Sequence, residues 1–308
     1  EKMLGIEAPP RAQAVRIILS ELSRLMDHAV CLGANLVDLG ALTNFWYFFQ
    51  PREEIYGLLE ACAGGRLTVS YVRVGGLSHD VPADFEERVR YLLGYIPKFL
   101  DDVDKLITTN QIFRDRTVGI GAVTAEEAVA WGWTGPCLRA CGVPYDVRKS
   151  YPYLGYDQYD FKVPVATTGD TYARYLVRME EMRQSLEIVR QVIKELPGGP
   201  VMTDNHRVAL PPKQKVYNEM ESLIWHFKLI YDGIQVPAGD AYSFTEGANG
   251  ELGYYIVSQG NGKPYRIKVR PPCFAVYQTY PHMLIGHMVP DAIAILGSLN
   301  IIAGELDR

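Results

Sequence analysis

Few side chains in this sequence could handle protons, metals or charged ligands, and they are scattered. Asp38 follows a long apolar run and precedes Leu39-Gly40-Ala41-Leu42 and an aromatic stretch. A carboxylate in such surroundings is either a helix-end cap or a proton carrier whose pKa is raised by burial, and the local sequence leaves both open. Arg73 sits in Tyr71-Val-Arg-Val-Gly-Gly76, at the end of a strand-like segment. The two glycines either let the backbone come close to something or simply make a turn. His282 and His287 are five apart with Pro281 in front, whereas a helical metal pair needs a spacing near four, so no metal is expected there. Glu221 and His226 lie on a helix, MESLIWHFKLIYDG, that reads as packed core or an interface. The five cysteines are Cys31, Cys62, Cys137, Cys141 and Cys273. Cys137 and Cys141 make neither a redox pair nor, lacking a second pair, a zinc site. Five free, buried or half-buried thiols are expected, in a chain from a reducing compartment. There is no GxGxxG after a strand, no phosphate-binding P-loop, no HExxH and no GxSxG.

The elements that must position these residues are mostly helical. Val15, Ile18, Leu22, Leu25, Ala29 and Leu32 recur at helical spacing from Pro10 to about Val37. A second helix is expected from about Arg52 to Ala61, after the aromatic run Phe45 to Phe49, which is expected to face a partner. Residues 66–73 alternate like a strand. Residues 84–107 are helical, and Thr124-Ala-Glu-Glu is a helix start. Asp170 to Leu196 is the clearest helix, stopped by Pro197-Gly-Gly-Pro200, and Pro211 to Tyr231 forms another. Glu251 to Val257 and Tyr265 to Val269 are expected to pair as an antiparallel hairpin across Ser-Gln-Gly-Asn-Gly, and Pro290 to Leu299 is a last short helix. The expected class is mainly α with small β elements, an α+β chain forming a single domain over residues 1–308.

Composition narrows the functions. The chain has 308 residues, 48% of them hydrophobic and 22% charged, which excludes a disordered or coiled-coil protein. Its net charge of −5 argues against nucleic acid as a partner. The 20 tyrosines against 10 phenylalanines suit interfaces and half-polar cavities. The longest apolar stretch, Leu284 to Ala303, contains His287, Pro290, Asp291 and Asn300, so no transmembrane helix is expected.

The order of long motifs then becomes informative. EAPPRAQAVRIILSELSRLMDH, LVDLGALTNFW, YVRVGG, DVRKSYPY, GDTYARYLVRMEEMRQS, MESLIWHFKL, GELGYYIVS, PYRIKVRPPCF and the terminal GELDR run the length of the chain. Together they resemble the D-subunit family of respiratory complex I, the hydrogenase-like large subunit of NADH:quinone oxidoreductase. The resemblance implies the fold of the nickel–iron hydrogenase large subunit with its metal site lost, since no cysteine follows Cys273 and a thiolate-held centre needs its thiolates. It implies quinone as substrate, no cofactor bound by this chain alone, and a [4Fe–4S] cluster in a neighbouring small iron–sulfur subunit. Other expected partners are the adjoining peripheral-arm and membrane-arm subunits. The implied location is the cytoplasmic or matrix side of an inner membrane.

Residue by residue, the resemblance assigns Asp38 a catalytic place beside the quinone chamber. Val30, Ala34, Trp46 and Ile302 become chamber walls, and Arg73 and Thr68 face the neighbour's cluster. Three departures matter. The family's GPxHPxxHG loop and LDY motif have no counterpart in these residues, so the chain, which begins without Met, is expected to be cut from a longer protein. Thr68 stands where the family usually has a titratable histidine. EGANGE (246–251) and Asn300 replace the usual EAPxGE and Asp, with no reason evident in the sequence. The alternative is a non-catalytic, hydrogenase-derived scaffold of a related membrane redox complex.

Overall fold

The computed structural model describes residues 1–307. Helix α1, Pro10–Asp38, is 29 residues long, about 44 Å at the standard rise, and opens with proline at a first-turn position where no N–H is needed. Its apolar stripe, with Val15, Ile18, Leu22, Leu25, Leu32 and Leu36, is buried. Helix α2, Leu42–Ala63, starts ten residues earlier than the sequence suggests. The aromatic run is its first half, and Phe45, Phe48 and Phe49 pack on Gly33 of α1. Phe48 is therefore core and not free for a partner, while Trp46 is 62% exposed.

The strand-like stretch 66–73 forms only a two-residue strand, β1 (Val72–Arg73), paired antiparallel with β2 (Gly76–Leu77). Gly76 has φ 154°, and a Cβ there would lie 2.1 Å from the Val201 carbonyl oxygen. The glycine thus serves a turn and a close backbone approach together.

Helix α3, Phe85–Val103, runs on into a wider π turn at Asp104–Thr108. Thr124 and Glu127 form a reciprocal capping box at the start of a short helix, Ala125–Ala130. Helix α4, Thr171–Lys194, capped by Asp170, lies beside α1. The segment after Pro211 breaks at Glu219, which is extended at φ −123°, ψ 123°, leaving Lys213–Asn218 and then α5, Met220–Tyr231. Ser222 is the only buried residue of α5, so this helix is not core.

Three antiparallel strands follow: β3 (Gly239–Gly247), β4 (Gly250–Ser258) and β5 (Arg266–Arg270), in that order across the sheet. The β4–β5 hairpin is as expected, whereas β3 carries no clean alternation and is defined by its pairing, Glu246 opposite Glu251. Helix α6, Asp291–Leu299, packs on α1 and ends at Asn300, in the left-handed region at φ 56°. One apolar core joins α1 to α4; a second gathers Trp133, Leu138, Val276, Ile295 and Leu299. The class is α+β, as the sequence indicated.

Candidate functional site

α1 is packed on nearly every side, so much of its polar face is buried as well as its apolar one. Glu21, Arg24 and His28 enter a sealed ionic network completed by α4 and by the loops beside it. Glu21 accepts from both Arg148 Nη1 and Arg24 Nε, from Tyr156 Oη at 2.6 Å and from Ser185 Oγ at 2.7 Å. Arg139 donates to Glu181 at 2.8 Å and to Glu246 at 2.9 Å, and Arg148 binds Asp146 at 2.7 Å.

Burial alone would raise the pKa of Glu21; Arg148 first, then Arg24, overcome it and hold the acid at about 2. Burial likewise opposes ionisation of Glu181, and Arg139 and His28 reverse it, so its pKa falls. Burial pushes His28 down against the pull of Glu181. The neutral ring therefore donates Nε2–H to Glu181 Oε2 at 2.8 Å and leaves Nδ1 without a partner. Glu246 is the exception: burial, with Asp146 close by, pushes its pKa up against Arg139.

At one edge of the network opens a cleft of about 880 Å³ between α1, the loop before β1, the sheet and the C-terminal segment. Met26, Leu59, Tyr71, Leu252, Tyr254 and Ile302 give it apolar walls, while Asp27, Asn249 and Glu305 give it a polar end. Arg24 pins the β3–β4 turn to α1 by donating to the carbonyls of Glu246 and Gly247 at 2.7 and 2.8 Å. From the other side the turn rests on Gly135, at φ 68°, where a Cβ would meet Gly250 Cα at 2.4 Å.

The sequence-derived site residues fall in three places. Val30, Ala34 and Asp38 lie at successive i, i+4 positions on one half-exposed to exposed face of α1, with exposed Trp46 on α2 nearby in sequence. Asp38 is the last residue of α1; it is exposed, and its side chain makes no hydrogen bond to a described residue. It is neither cap nor buried acid in this chain, and a bare carboxylate at the negative end of the helix dipole is mildly unfavourable. Ile302 alone of the wall residues lines the cleft, whose α1 wall reaches Asp27, 11 residues or about 17 Å of helix before Asp38. Thr68 and Arg73 are exposed, interleaved with the cleft residues Leu67, Val69 and Val72. No group of three or more His, Cys, Asp or Glu side chains among the described residues is arranged to hold a metal ion. The five cysteines are free and buried.

A family described as respiratory-chain NADH dehydrogenase, 49 Kd subunit, matches residues 38–308. The chain belongs to that family. It is similar along its whole length to the C/D subunit of NADH-quinone oxidoreductase from Bdellovibrio bacteriovorus at 52% identity, to the D 1 subunit from Sorangium cellulosum at 48%, and to the D subunit from Leptospira biflexa at 49%. The chain spans 55% of the first of these and 76% of the other two. In this member of the 49 Kd family, no helix of the described residues is long and apolar enough to cross a membrane.

Sequence reasoning missed the ionic network because Glu21, Arg24, Asp27 and His28 share one polar face of α1, which by itself reads as facing water; only the packing of α4 and its loops on that face shows otherwise. Asn300, one of the two unexplained departures, contacts the segment that carries the other, whereas the structure gives no reason for Gly247 and Ala248 themselves. Asn300 Nδ2 donates to Asn249 Oδ1 at 2.6 Å.

Proposed function

We propose that this chain is a subunit of a proton-translocating NADH:quinone oxidoreductase and forms the quinone-reduction chamber together with a neighbouring iron–sulfur subunit. The observation that carries the reading is the uncovered apolar face of the α1–α2 pair. Val30, Ala34 and Asp38 follow one another at i, i+4 spacing on one half-exposed to exposed face of α1, and Trp46 of α2 is 62% exposed. A flat, mostly apolar quinone needs such a wall on two sides, and one chain supplies only one of them. Burying Trp46 and its neighbours under a partner also removes a cost of leaving large apolar side chains in water.

Reducing a quinone to a quinol takes two electrons and two protons. The neighbour's [4Fe–4S] cluster supplies the electrons, and this chain's part is to hold the ring and deliver protons. Asp38 is the group placed to pass a proton toward a quinone oxygen or to position the group that does. Arg73 and Thr68, exposed beside the cleft, are read as facing the cluster, where a cation favours the reduced state. The chain acts only within the complex, in its peripheral arm beside the membrane. We read it as one unit with the hydrogenase large-subunit fold, which the long helical core joining α1 to α4 supports.

A photoreactive quinone cross-linked to the assembled complex tests this. Label is expected on peptides carrying residues 30–46 and 300–302. Label confined to other subunits would instead support the scaffold reading.

A further inference from the structure

Asn300 is the meeting point of four segments. Its side-chain Nδ2 donates to Asp27 Oδ2 of α1 at 2.8 Å and to Asn249 Oδ1 of the β3–β4 turn at 2.6 Å. Its backbone carbonyl accepts from Asn249 Nδ2 at 3.2 Å and from Cys273 Sγ at 3.4 Å, on the helix Pro272–Gln278. The amide orientations are fixed by chemistry. The carboxylate of Asp27 only accepts, so the Asn300 atom facing it is nitrogen. That nitrogen then requires an oxygen from Asn249, which turns the Asn249 nitrogen onto the Asn300 carbonyl. Every proton of the Asn300 amide is used. Its backbone, at φ 56°, is a conformation that asparagine tolerates better than most residues.

Two residues further on comes Ile302, in the wall of the 880 Å³ cleft, and Asp27 and Asn249 are at the polar end of that cleft. Beyond it Glu305 Oε1 accepts from the Cys273 N–H at 3.0 Å, so the segment is held on both sides of Ile302. We propose that Asn300 is a positioning residue of the quinone cleft: its amide ties Asp27 to Asn249, which places Ile302 and keeps a single carboxylate at that contact. The functional half of this statement rests on the reading of Ile302 as a chamber wall.

The prediction follows from replacing the amide by an acid of the same shape. Asn300→Asp puts a carboxylate oxygen 2.8 Å from Asp27 Oδ2 and 2.6 Å from Asn249 Oδ1. Both are acceptors, so the two acids must share one proton or move apart. Like charge raises the pKa of one of them. The shared proton holds the tie below that pKa, and repulsion loosens it as pH rises through it. Arg178, Cys31 and the neutral His28 are the other titratable or charged groups around Asp27, with Arg24 in the same cleft wall and Glu305 further along the C-terminal segment.

The test uses the purified complex, with assembly checked on native gels. A close carboxyl pair holds its shared proton to well above the ordinary carboxylate range, which brings its loss into the range of about pH 6 to 8. In Asn300→Asp the ratio of the quinone KM at pH 8 to that at pH 6 is therefore expected to exceed the wild-type ratio by about tenfold. Hydrogen exchange of residues 298–307 should accelerate over the same pH range. The double variant Asp27→Asn/Asn300→Asp exchanges amide and acid and should flatten both responses, which a merely bulky or disruptive substitution would not do. Faster exchange with an unchanged KM would overturn the placing of Ile302 in the chamber while leaving the tie intact. Unchanged exchange and unchanged KM in Asn300→Asp would overturn the proposal as a whole.

Discussion

Replacing Glu21 by Gln isolates the energetic weight of the buried network. The side chain keeps its shape but loses its charge among Arg148, Arg24, Tyr156 and Ser185. Its carboxyl pKa lies at about 2 in the fold against an ordinary value of 4.5. That difference corresponds to about 3 kcal/mol at neutral pH, in the range found when one partner of a buried ion pair is removed. The sign is that of a depressed acid: the stabilisation is complete above about pH 4.5 and is lost as pH falls toward 2. Hydrogen exchange of the assembled complex at pH 7 reads the effect. Amides of α1 near residue 21 and of α4 near residue 185 should lose about two orders of magnitude of protection. The exposed pair Arg66–Glu53, at 2.6 Å, is the control, and Glu53→Gln should leave local protection nearly unchanged. Equal, small effects from both variants would refute the claim that the network holds α1 and α4 together.

Gly135→Ala forces a left-handed alanine against Gly250 Cα at 2.4 Å, so it should cost at least about 1–2 kcal/mol and loosen the β3–β4 turn, visible as faster exchange of residues 245–252. In the complex, Thr68→His is expected to steepen the fall of the neighbouring cluster's potential with pH between about pH 6 and 8, because an imidazole takes up a proton when the cluster is reduced and threonine cannot. A redox titration of the cluster signal at several pH values checks it; an unchanged slope would leave Thr68 as packing only.

How much could be read beforehand depended on whether local sequence or tertiary partners decide an element. α1, α3 and α4 announced themselves because an apolar stripe of period near 3.6 is a local property, as is the Thr124–Glu127 capping box. The first half of α2 did not, since five aromatics near Pro51 favour no helix by propensity, and packing on Gly33 overrides it. β3 was invisible because its sides are not sorted into polar and apolar; its partner β4 decides its register. The site divides the same way. Asp38 and the α1 wall are proposed from family-like motifs alone, whereas the cleft and the Asn249–Asn300–Asp27 tie join residues over 200 positions apart in the chain. The excess of tyrosine found its meaning only in the fold: Tyr156 Oη donates to Glu21, Tyr145 Oη to Glu251, and Tyr153 Oη accepts from the Glu246 N–H.

The most direct test of the central claim is quinone reductase turnover in the assembled complex carrying Asp38→Asn. Asparagine preserves the shape and hydrogen-bonding reach of the side chain but cannot ionise. Exposed at the end of α1, the position bears little on folding, so assembly should be normal. Electron delivery to the neighbour's cluster should also persist, while quinone reduction falls about tenfold or more, the low end of what a positioned proton-transfer group contributes. Wild-type quinone turnover in that variant would contradict the account.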